Sequence, residues 1–104
     1  MKPIAVVTTV ASRDDAHRLA HALVERKLAA CAQISEIESI YHWQGAVQQE
    51  PELRVLFKTT HERYALVEST ILELHPYKVP AIHAFAFEHV EPAYAAWIAE
   101  NAGG

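Results

Sequence analysis

Cysteine, glycine and positive charge are all scarce in this 104-residue chain, and each scarcity excludes something. One cysteine, Cys31, can form neither an internal disulfide nor a Cys-x-x-Cys pair. The fold must therefore rest on its apolar core, and the chain suits a reducing compartment, most simply the cytoplasm. Three glycines leave no phosphate-cradling loop and no Gly-x-Ser-x-Gly elbow, and there is no His-Glu-x-x-His. These absences argue against an enzyme. Nine Lys and Arg against thirteen Asp and Glu give a net charge of -4, the wrong sign for a surface that condenses on nucleic acid. No run of about 20 apolar residues could span a bilayer, and no N-terminal signal pattern is seen. Neither nucleic acid nor membrane is an expected partner.

What is present is an ordinary globular composition, 51% hydrophobic and 21% charged, at a length that suits one domain over residues 1–104. Seven histidines (17, 21, 42, 61, 75, 83 and 89) are the one excess, and imidazole is a common metal ligand.

Residues 4–10 are β-branched and uncharged, as in a strand covered on both faces. Ser12, with Asp14 and Asp15 behind it, caps a helix whose apolar stripe is Ala16, Leu19, Ala20, Leu23 and Val24, ending near Lys27. Residues 28–43 read as one long strand; Ile34 and Ile37 fall on opposite faces, and a bulge near Ser35 and Glu36 would resolve that. Gly45 marks the turn, and residues 53–60 alternate as a returning strand. Thr59 or Thr60 can cap a second helix with Tyr64, Val67, Ile71 and Leu74 inward, stopped by Pro76. Residues 81–89 form a fourth strand with His83, Phe85, Phe87 and His89 on one face, and Pro92 opens a terminal helix carrying Tyr94, Trp97 and Ile98. Residues 101–104 should fray.

This order, β-α-β-β-α-β plus a terminal helix, gives an α+β, ferredoxin-like fold with two helices on one face of an antiparallel sheet. A strand of some 15 residues extends roughly 50 Å, whereas a compact chain of this size has a radius of gyration near 13 Å. The hairpin must project beyond its own domain. A two-stranded ribbon bearing Ile37, Ile40, Tyr41 and Trp43 is marginal alone in water, and another copy of the chain is its simplest cover.

Five segments, Lys27-Leu-Ala-Ala-Cys31, Ser39-Ile-Tyr-His-Trp-Gln-Gly45, Phe57-Lys-Thr-Thr60, His75-Pro-Tyr-Lys-Val-Pro80 and Tyr94-Ala-Ala-Trp-Ile98, resemble in order and spacing the motifs of the CutA family of divalent-cation tolerance proteins. The resemblance spans nearly the whole chain. It implies a homotrimer, with intersubunit sheets built by the long hairpins through Ile40, Tyr41 and Trp43, an architecture like that of the PII signalling proteins, and a link to copper and other divalent cations. The chain departs from the pattern at several places, among them residues 88–91, which replace a Gly-Asn before the last helix. Lys78 and Ala81 stand where the family commonly has carboxylates, and Thr8 and Leu74 where some members carry a thiol and a second histidine. Of that ligand set only His75 stands here.

Cys31 reads as a small core side chain, a metal ligand or a redox target. His75, at a helix end, reads either as an imidazolium meeting the negative helix terminus or as a ligand to copper(II), which favours imidazole nitrogen. Tyr77, Lys78 and Lys58 are candidates to line a ligand cleft. His17 and His21, at i and i+4, either lie on a solvated helix face or chelate a divalent ion. Two functions follow: a non-enzymatic trimer that binds divalent cations, or a PII-like trimeric module that takes a small ligand or an unidentified protein partner in its subunit clefts. An RNA-recognition domain shares the element order, but residues 53–58 lack its aromatic signature.

Overall fold

A computed structural model of the chain describes residues 2–103. Along it run β1 (Pro3–Val10), α1 (Arg13–Glu25), β2 (Cys31–Trp43), β3 (Ala46–Thr60), a 3-10 turn (His61–Arg63), α2 (Tyr64–Leu74), β4 (Ile82–Ala86) and α3 (Pro92–Asn101). The strands form one antiparallel sheet in the order β2-β3-β1-β4, the ferredoxin-like arrangement. No helix among the described residues is long and apolar enough to cross a membrane.

Alternation along the strands sorts side chains onto two faces. Ile4, Val6 and Val10 of β1 and Leu53, Val55 and Phe57 of β3 point to the same side as α1 and α2, whose Leu19, Leu23, Val67 and Ile71 complete the core. Phe57 is wholly buried there. Against the opposite face lies α3, whose Ile98 is buried and whose N-cap Glu91 accepts from the Tyr94 amide.

Local chemistry explains the element ends. The Ser12 hydroxyl accepts from the Asp15 amide, as its position before α1 predicts. After α1, Lys27 enters the left-handed region and Leu28 N–H returns to Leu23 C=O, a Schellman-type closure. Val24, expected in the buried stripe, is exposed because the helix packs through Ala16, Leu19 and Leu23, with Ala20 and Ala22 partly buried beside them. A 3-10 turn precedes α2, so neither threonine caps it: Thr59 Oγ1 donates to Leu28 C=O, and the buried Thr60 hydroxyl has no partner among the described residues. The fourth strand stops at Ala86, leaving His89 in the following loop. At the other end Asn101 is helical and Ala102 fully buried, so these two do not fray; Gly104 lies outside the described residues.

No bulge interrupts the hairpin. Its register runs unbroken from Cys31 opposite Lys58 to Trp43 opposite Ala46. Ile34 joins the helix-side core, and Ile37 is half-buried on the other face. Gln44 and Gly45 close the turn at φ 50° and 78°, the pair of positive values that a two-residue hairpin turn requires. Pairing of β1 with β3 ends at Val10 and Leu53, so residues 46–52 pair only with 37–43. This arm of seven residues per strand is about 24 Å long at ~3.4 Å each. It draws the molecule out to 45 × 26 × 21 Å. Pro51 sits in that stretch, where β3 lacks a β1 neighbour and a missing N–H costs little.

Candidate functional site

Where the arm leaves the body, it faces the segment 76–81 that joins α2 to β4, and the two enclose an open cleft of about 900 Å³. Residues from three stretches of chain meet there. The face of the arm away from the two helices contributes Tyr41 and Trp43 from β2 and Glu50 and Glu52 from β3; Thr9 and Ala11 lie at its root; Tyr77, Lys78 and Val79 form the far wall. Tyr41 Oη donates to Glu50 Oε2 at 3.1 Å, a diagonal cross-strand pair. Tyr77 Oη donates to Glu52 Oε2 at 2.8 Å and ties the far wall to the arm. Burial, and then the neighbouring carboxylate, push both phenols above their ordinary range.

His75 is the hinge post of the far wall. It caps the C-terminus of α2 and is 9% exposed. The Tyr77 amide donates to Nδ1 at 3.1 Å, which makes Nδ1 the acceptor, so the proton sits on Nε2 and is donated to Thr9 C=O at 2.8 Å. Burial lowers its pKa despite the nearby carboxylates of Asp15 and Glu52. The expectation of an imidazolium at the helix end is therefore corrected: the cation there is Arg18. Its Nη1 donates to Leu74 C=O at 2.8 Å and its Nη2 to Asp15 at 3.1 Å, holding the Asp15 carboxyl below its usual range.

These bonds bear on the ligand set His75 and Cys31. Both ring nitrogens of His75 are engaged, so a metal would have to displace Thr9 C=O or the Tyr77 amide. Cys31 is half-buried opposite Lys58 and Ala5, four rungs from the Ser35–Arg54–Thr9 rung, or about 13 Å along the strands. The fold does not bring the two together. Among the described residues no three His, Cys, Asp or Glu side chains are grouped to hold a metal. Copper(II) does not fit the His75 and Cys31 pair as it stands.

The remaining expectations divide. Tyr77 and Lys78 line the cleft, but Lys58 does not: on the Cys31 rung, its Nζ donates to Tyr94 Oη at 2.9 Å, and Tyr94 stacks on Trp97 at 5.7 Å. Ile40, Tyr41 and Trp43 are 65%, 37% and 44% exposed on the arm. At the departing positions, Lys78 and Ala81 are exposed at the cleft, Leu74 is half-buried, and Thr8 is fully buried on the core face with its hydroxyl unpartnered among the described residues. Glu50 and Glu52 went unread in the sequence. Their i, i+2 spacing in the returning half of the hairpin was the available signal, hidden because the strand alternation was traced only from Leu53.

Comparison with known proteins bears on this arrangement. Residues 4–101 match the family model "CutA1 divalent ion tolerance protein". The chain belongs to this family. A divalent-cation tolerance protein CutA from Thermus thermophilus is 41% identical over 99 residues, covering 94% of this chain and 96% of that one. Its counterpart from Thermococcus kodakarensis is 34% identical, with 95% of each covered. Among solved structures, the T. thermophilus protein superposes with a TM-score of 0.93 at 40% identity, over 97% of this chain and 99% of that one. CutA from Synechococcus elongatus gives 0.94 at 34%, over 98% and 91%. This CutA chain thus shares the family's fold along almost its whole length, with the cleft segment 76–81 inside the matched region.

Proposed function

We propose that this CutA protein works in divalent-cation tolerance as a non-enzymatic homotrimer in the cytoplasm, with copper(II) as the cation. The observation that carries the assembly is the arm: Ile40, Trp43 and Val47 stand 65%, 44% and 65% exposed on a ribbon paired with nothing but itself. A free two-stranded ribbon of this kind is marginal in water, and the symmetric cover is a sister chain. The family membership supports a role in cation tolerance, which describes a cell's behaviour and leaves the molecular act open. The abundance of imidazole supports copper, since nitrogen donors suit it better than magnesium or calcium. Light scattering tests the assembly: a particle of three times 11.6 kDa is expected, and a stable single chain overturns it. Calorimetric titration of the metal-free protein with copper(II) tests the cation, with no heat at micromolar concentration as the refuting result.

One observation favours a second reading, a PII-like module that takes a small ligand or a protein partner at its subunit clefts. The cleft of about 900 Å³ is large enough for an organic ligand and mixes aromatic rings with Glu50, Glu52 and Lys78. Fold likeness alone does not establish such a role. A thermal-shift screen separates the two: stabilisation by an organic compound but not by copper(II) selects this one.

A further inference from the structure

The helix α1 carries two apparently unrelated surfaces. Ala16, Leu19 and Leu23 pack against the sheet, and at 100° per residue the positions 14, 17, 21 and 25 fall on the opposite side. That outer stripe reads Asp14, His17, His21, Glu25, and all four are exposed. It carries four potential metal donors; Arg18, which flanks it, is turned away to Leu74 C=O and Asp15. His17 and His21 are one turn apart, with Cβ atoms about 5–6 Å from each other, so both imidazoles can reach a common point above the helix. Neither ring has a hydrogen-bond partner among the described residues, in contrast to His75, whose two nitrogens are both held. His21 Nδ1 lies 3.8 Å from Glu25 Oε1, so a metal on Nε2 would leave the Nδ1 proton facing a carboxylate, the partner that fixes ring orientation and makes the ligating nitrogen more basic.

We infer that His17 and His21 form a bidentate site for copper(II) on the outer face of α1, with water completing the coordination. Two cis imidazole nitrogens suit the tetragonal preference of copper(II), the tightest binder of the common first-row divalent ions. The site lies within one helix of one chain, on the side away from the sheet and from the arm. It rests on the copper(II) part of the proposed function, needs no partner copy, and fails separately from that reading if the double variant still binds copper(II) as the parent does.

The test is titration of the metal-free protein with copper(II) alone, followed by calorimetry and by electron paramagnetic resonance, on the parent chain, His17→Ala, His21→Ala, the double variant and His89→Ala. His89 is a fully solvated control, its side chain 93% exposed. The substituted side chains are exposed, and circular dichroism checks that the helix persists. One site per chain is expected, with a spectrum showing two nitrogen ligands. Loss of either histidine converts a chelate into a single-point contact and should weaken binding about 100-fold or more, whereas His89→Ala should leave it unchanged. The inference is overturned if the double variant keeps the parent affinity and spectrum, or if the parent binds no copper(II) at micromolar concentration.

Discussion

Replacement of His75 by alanine removes the post that joins β1 to the wall of the cleft, and its cost can be worked from the contacts. Two hydrogen bonds go, Nε2–H to Thr9 C=O at 2.8 Å and the Tyr77 amide to Nδ1 at 3.1 Å. Each contributes about 1 kcal/mol net, and any partner left dry adds up to about 1–3 kcal/mol more. The expected loss is thus about 2–4 kcal/mol at neutral pH. The sign of its pH dependence also follows. Burial lowers the folded-state pKa of His75, so the folded protein prefers the neutral ring. Its contribution is complete above the ordinary imidazole value of about 6.5. It falls as the pH drops from there through the folded-state value, because the unfolded chain takes up the proton first. Protonation would also place a second N–H against the Tyr77 amide. Urea unfolding of the parent chain and His75→Ala at one protein concentration, near pH 7.5 and near pH 5.5, measures the gap between them. The gap should narrow on acidification. A gap below about 0.5 kcal/mol at neutral pH, within the range of an ordinary surface substitution, or one that widens in acid, refutes the assignment of Nδ1 as acceptor.

Substitutions at three other places probe different parts of the fold. Thr8→Val replaces a fully buried hydroxyl that has no partner among the described residues with a methyl group of similar shape, and should raise stability by about 1 kcal/mol in the same urea assay. Paired Ile40→Glu and Trp43→Glu changes place charge on the uncovered arm, where these residues are 65% and 44% exposed; light scattering should show the mass falling toward 11.6 kDa while circular dichroism keeps its parent form. Gly45→Val introduces a β-branched residue at φ 78°, where a Cβ meets nothing within 4 Å, so the effect is backbone strain alone, about 1–2 kcal/mol, and Gly45→Asn should recover most of it.

Much of the fold was legible in the chain because local rules decide it. The β-branched run at 4–10, Ser12 before an amphipathic helix, Pro76 after one and Pro92 at the start of another each act over a few residues, and the structure has strand, cap, stop and start where they point. The projecting hairpin was also readable, since strand length against domain size is arithmetic on the sequence. Tertiary structure decided what depends on two distant stretches meeting. It set the register of the arm, pairing residues 46–52 with 37–43 without a bulge. It moved Lys58 from the cleft to Tyr94, because alternation fixes a side chain's face but not which helix covers that face. It gave the helix terminus to Arg18, which reaches Leu74 C=O from the neighbouring helix, and left His75 a neutral bridge between Thr9 C=O and the Tyr77 amide. Propensity and periodicity act within a segment, and the partners of a buried polar group are set by where the other segments land.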